Sequence, residues 1–99
     1  MTQDRRNELL KVVKTALFGT DADTFRDATL LVYIDDVVAW MVSAGVPEAV
    51  IDTEKVNGCV VRGVSDLWNY GQGDAQLSPY FHQRVIQLCR EVAGDVPTE

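Results

Sequence analysis

The sequence predicts an all-α fold, a small four-helix bundle with a long central second helix, and three observations carry that expectation. Apolar residues recur at helical rather than alternating spacing in four stretches. Gly19, Gly45-Val46-Pro47, Gly71-Gln72-Gly73 and Ser78-Pro79 punctuate those stretches. The length of 99 residues, 46% hydrophobic and 24% charged, suits a single domain over 1–99 and is too short for two independent cores.

The first helix is expected over residues 4–17. Leu9, Leu10, Val12, Val13, Ala16 and Leu17 fall on one arc, with Asn7, Glu8, Lys11 and Lys14 opposite. Gly19 ends it by taking the left-handed cap conformation, and Thr20-Asp21-Ala22-Asp23 offers N-caps and acids for the next helix.

That second helix, residues 24–44, is apolar around nearly its whole circumference through Leu30, Leu31, Val32, Tyr33, Ile34, Val37, Val38, Trp40, Met41 and Val42. It is expected to be buried on most sides. Thr29, Asp36 and Ser43, seven apart, form one polar stripe with Tyr33 and Trp40 beside it. A chain this short has few layers to cover such a helix, so the stripe is a candidate subunit interface, with a monomer core helix as the alternative.

Pro47 opens a short turn at 47–51, and a third helix is expected over 53–70. Val56, Val60, Val61, Val64, Leu67 and Trp68 share one face, with Arg62, Ser65, Asp66 and Asn69 opposite; the valines favour strand by propensity, but their spacing is helical. Gly58 and Gly63 sit inside it, either merely tolerated or required where another backbone approaches closely. Arg62 and Asp66 stand at i, i+4, as a solvated surface pair or as a subunit contact. After a loop at Gly71-Gln72-Gly73-Asp74, Ser78 and Pro79 start a fourth helix over 79–93, with Phe81, Val85, Leu88, Cys89 and Val92 inward and Gly94 as its cap. Its outer face, Tyr80, Arg84, Gln87, Arg90 and Glu91, is a candidate partner-contact surface, with ordinary solvated surface as the alternative.

The chemistry-bearing residues are few. His82 is the single histidine, and neither Cys59 nor Cys89 has a neighbour at metal-ligand spacing, so no metal site and no cofactor are expected. Cys59 and Cys89 both read as small apolar filling. Asp35 and Asp36 point about 100° apart on a helix and cannot converge as an acid/base pair; Asp35, if buried, needs a hydrogen-bonding or cationic partner, with Lys11, Lys14 and Arg62 in view. The two-glycine loop is not a phosphate-binding fingerprint. The chain reads as a non-enzyme. Two cysteines and no apolar leader segment behind Arg5-Arg6 point to an intracellular protein, and Asp35-Asp36 interrupts the most apolar run before it reaches the roughly 20 residues of a membrane span. Nine basic against fifteen acidic residues, net −6, disfavour a grip on nucleic acid.

The run Val61-Arg62-Gly63-Val64-Ser65-Asp66-Leu67-Trp68-Asn69-Tyr70-Gly71-Gln72-Gly73-Asp74, followed by Leu77-Ser78-Pro79-Tyr80-Phe81-His82-Gln83-Arg84-Val85-Ile86-Gln87-Leu88, resembles the small head-to-tail connector (adaptor) proteins of long-tailed bacteriophages and prophages. The order of helices is similar too, although the connection between the second and third is short here. The resemblance implies a structural protein of about a dozen copies in a ring. That ring would be added beneath the portal protein after DNA packaging and bound below by a stopper or tail-completion protein. It also implies a place in the virion, with the host cytoplasm as the site of assembly. DNA would pass through without specific binding, which suits a ring of acidic subunits. From a different class, an acidic helical regulatory module, antitoxin-like or nucleic-acid-mimic, fits the same composition.

Overall fold

A computed structural model describes residues 1–70 and 79–95, with side chains through 69 and from 79 to 90. The expected loop at Gly71-Gln72-Gly73-Asp74, the Ser78 cap, the side chains of Glu91 and Val92, and residues 96–99 lie outside the described residues. The remainder is all-α: α1 (Gln3–Phe18), α2 (Asp27–Ser43), a single turn α3 (Glu48–Ile51), a 3-10 turn (Glu54–Val56), α4 (Asn57–Tyr70) and α5 (Pro79–Asp95). No strand occurs among the described residues, so helical spacing outweighs the strand propensity of the valines in α4.

At the start of α1, the Thr2 hydroxyl accepts the Arg5 N–H at 3.1 Å, and at its end Gly19, with φ +76°, donates its N–H to the Thr15 carbonyl. Leu9 and Val13 are buried as the periodicity predicts. Lys14 is not on the solvent side as expected: it is 4% exposed, because its ammonium meets the Asp27 carboxylate of α2 at 2.8 Å. Arg5 is buried as well. Its guanidinium donates to the Ile51 carbonyl (2.9 Å), the Thr53 carbonyl (2.7 Å) and Asn57 Oδ1 (2.6 Å). One side chain thereby satisfies acceptors on both sides of the 3-10 turn that joins α3 to α4.

Helix α2 begins three residues later than expected. Thr20, Asp21 and Asp23 do not cap it; Arg26 is the cap residue and makes no side-chain cap bond. The Thr20 hydroxyl instead accepts the Ala22 N–H, and the Arg26 guanidinium stacks between the Phe18 and Phe25 rings. Leu30, Ile34, Val37, Val38 and Met41 face the core. Beyond α2, Gly45 takes φ +116° and Val46 returns its N–H to the Met41 carbonyl, so the chain reverses tightly into α3.

The expected third helix divides at its start into the 3-10 turn and α4, which packs against α1, α2 and α5. Gly63 is what allows this. A Cβ there would lie 2.8 Å from Phe81 of α5 and 2.8 Å from Val37 of α2, whereas a Cβ at Gly58 would meet nothing within 4 Å. Of the two readings of these glycines, close approach holds at Gly63 and toleration at Gly58. In α5, Phe81, Val85 and Leu88 complete the core, and Gly94 does not cap the helix, which continues to Asp95.

Candidate interaction site

Along the outer side of α2, Thr29, Asp36 and Ser43 are all exposed, as their spacing requires. Ser43 turns its hydroxyl back to the Trp40 carbonyl at 2.9 Å. Val32, on one side of the stripe, is 55% exposed, and Trp40, on the other, 38%. Burial on most sides, expected for α2, is therefore not what the chain achieves by itself. Tyr33 is half-buried, edge-on to Trp68 with centroids 6.4 Å apart. Asp35 does find a cation, but none of the three expected: the Arg6 guanidinium grips it through two bonds of 2.9 Å, and the hydrogen-bonded carboxylate raises the Arg6 pKa. Lys11, Lys14 and Arg62 are not its partners because one turn of α1 brings Arg6 alongside instead. Asp35 is held by Arg6, and Asp36 is exposed.

The Arg62 and Asp66 pair is asymmetric. Arg62 is half-exposed, but Asp66 is 2% exposed beneath it, with the Arg62 Nε 3.4 Å from its carboxylate. The expected outward placement of Asp66 is therefore corrected: it is buried. Arg62 also lies 5.5 Å from the Tyr80 ring, which joins this position to the outer face of α5. On that face Tyr80 is 71% exposed, and Gln87 and Arg90 are exposed. Arg84 is half-buried and bonds Gln87, with the Lys55 carbonyl at 3.5 Å.

An open groove of about 320 Å³ runs between the end of α2 and α5, lined by Trp40, Ala44, His82, Ile86, Cys89 and Arg90. The Trp40 and His82 rings lie flat against each other, centroids 4.8 Å apart and 12° from parallel, and Ile86 is 51% exposed at the edge. Cys89, expected on the fully buried stripe, is only half-buried, because its thiol looks into this groove toward the Ala44 carbonyl at 3.7 Å. Cys59 is buried, and burial pushes its thiol up to about 11, despite the opposing pull of Arg84. Among the described residues no group of His, Cys, Asp and Glu is arranged to hold a metal, and no helix is long and apolar enough to cross a membrane.

Two surface features escape pattern reading. Ile86 lies outside the main apolar arc of its helix, and Phe25, 76% exposed, stands in a polar segment where no periodicity applies. An aromatic isolated among Thr and Asp is the one signal the sequence offers for it. No family model, no curated protein and no solved structure matches the chain.

Proposed function

We propose that the chain is a structural adaptor of a tailed phage or prophage. In this reading it is one subunit of a ring of about a dozen copies beneath the portal, joining the DNA-filled head to a stopper or tail-completion protein. The observation that carries the reading is the outer side of α2, where an exposed polar row of Thr29, Asp36 and Ser43 is flanked by incompletely covered Val32 and Trp40. The uncovered Val32 and Trp40 offer apolar area for a second copy to bury, and the polar row between them can hydrogen-bond across such a contact. Tyr33 borders that row; Arg62, over buried Asp66 and beside Tyr80, is the further candidate for lateral contact. The exposed part of α5, at Tyr80, Gln87 and Arg90, offers vertical contact to portal or tail, with Arg84 bracing it. The resemblance of residues 61–88 to connector proteins supports the same assignment, and net −6 per subunit would repel DNA in transit.

A second reading, an acidic regulatory module that binds one protein, is favoured by the α2/α5 groove alone. Light scattering over a concentration series, with and without the cognate portal, separates the two. Growth into a ring, or binding to the portal, supports the adaptor. In that case Asp36→Arg abolishes assembly and leaves helicity unchanged. A chain that remains monomeric throughout and ignores the portal overturns the adaptor reading.

A further inference from the structure

We propose that the α2/α5 groove is the socket for Phe25 of a second copy of this chain, a head-to-tail contact that rests on the ring-subunit reading and names its lateral partner. The knob and the socket lie at opposite ends of one helix. Phe25 stands two residues before α2, and Trp40 sits in its last turn. At 1.5 Å per residue, the rise of α2 from Asp27 to Trp40 holds the two about 20 Å apart. A chain therefore cannot fill its own groove. A contact between unlike surfaces on identical subunits repeats from copy to copy and builds a closed ring or an open chain, not a two-fold dimer.

The knob is braced. The Arg26 guanidinium lies 4.3 Å from the Phe25 centroid and 4.5 Å from that of Phe18, so a cation between two rings holds the 76% exposed phenyl group outward. The socket has the matching size and chemistry. A closed cavity of about 150 Å³ accommodates benzene, and this groove offers about 320 Å³. Its stacked Trp40 and His82 rings present aromatic surface, and Ile86 and Cys89 add apolar wall. Charge sets the register. Two copies at net −6 repel in general, but at the knob the exposed Asp21 and Asp23 outnumber Arg26, while the groove edge carries exposed Arg90. Opposite local charges select this approach over others.

Cys89 makes the contact directly testable. In the Phe25→Cys variant, mild oxidation of the concentrated protein is expected to give a ladder of disulfide-linked species beyond the dimer, with the linkage between position 25 and Cys89 dominant on peptide mapping. The two positions of one chain are far too distant for an internal bond. Adding Cys89→Ser limits the products to dimers. Adding Ile86→Asp in place of that change suppresses the ladder while circular dichroism shows the helices intact. A Phe25→Cys protein that assembles by light scattering, yet gives no linkage to Cys89, overturns this contact and leaves the ring-subunit reading standing. Failure of the unsubstituted chain to assemble at any concentration or on the portal overturns both. Cross-linking that persists unchanged with Ile86→Asp overturns the groove as the socket.

Discussion

Between α1 and the α3–α4 connection, Arg5 is buried and gives hydrogen bonds to three acceptors, and one helix turn beyond Leu10 Lys14 is buried against Asp27. Between α2 and α5, by contrast, Trp40 and His82 stack at the edge of an open groove with Ile86 half in water. The first region places charged groups inside and satisfies them; the second leaves apolar groups outside and uncovered. Buried ionic groups fix which segments meet, because leaving any one of them unpaired is costly. Exposed apolar groups contribute little to the fold and are available to a partner. The molecule separates the side that defines its own structure from the side that faces outward.

Mutations on the two sides should therefore differ in size. The largest effect is expected at Arg5. Arg5→Ala strands the Ile51 and Thr53 carbonyls and Asn57, and should cost about 3 kcal/mol or more of unfolding free energy in urea titrations. A loss below about 1 kcal/mol would erase the contrast. Gly63→Ala comes next. Its new methyl collides with Phe81 and Val37, and overpacking of this kind costs about 1–3 kcal/mol. Gly58→Ala meets nothing and should stabilise by roughly 0.5 kcal/mol, so thermal melts of the pair should move in opposite directions.

The thiols sharpen the comparison further. Cys59 titrates near 11 in the folded chain against an ordinary value of 9.0, so its contribution to stability is complete below pH 9 and is lost as the pH rises toward 11. The unfolded chain gives up that proton first. Wild-type urea midpoints should fall more steeply over that interval than those of Cys59→Val, and under native conditions a thiol reagent should modify Cys89 but not Cys59. The smallest effect is expected on the open side: Ile86→Ala should change stability by less than about 0.5 kcal/mol, because the side chain is already half in solvent.

The elements themselves were legible because each buries one arc, and arcs are periodic. Helix spans agree to within a few residues, and the break at Gly45-Val46-Pro47 and the start at Pro79 stand where turn chemistry puts them. The buried charges were not legible. Lys14 and Asp66 occupy positions that amphipathic reading assigns to solvent, and the partners of Lys14 and Arg5 come from another helix and from loop carbonyls that no local pattern encodes. Arg26 shows the same limit at a helix start: ring stacking prevails over the capping residues that precede it. Of the outward positions, Thr29, Asp36 and Ser43 followed from spacing alone, whereas the groove required α5 to be placed beside the end of α2, a tertiary fact.

The Arg5 clamp also sets an order of events during synthesis. Its acceptors lie 46, 48 and 52 residues further along the chain. Until Ile51 has left the ribosome, the guanidinium has none of these three acceptors, and until Asn57 follows the set is incomplete. Contacts of such separation carry a loop-closure cost before they return any stability. The N-terminal helix is made first and can pair with α2 early through Lys14 and Arg6, but Arg5 is secured only once the segment leading into α4 has arrived.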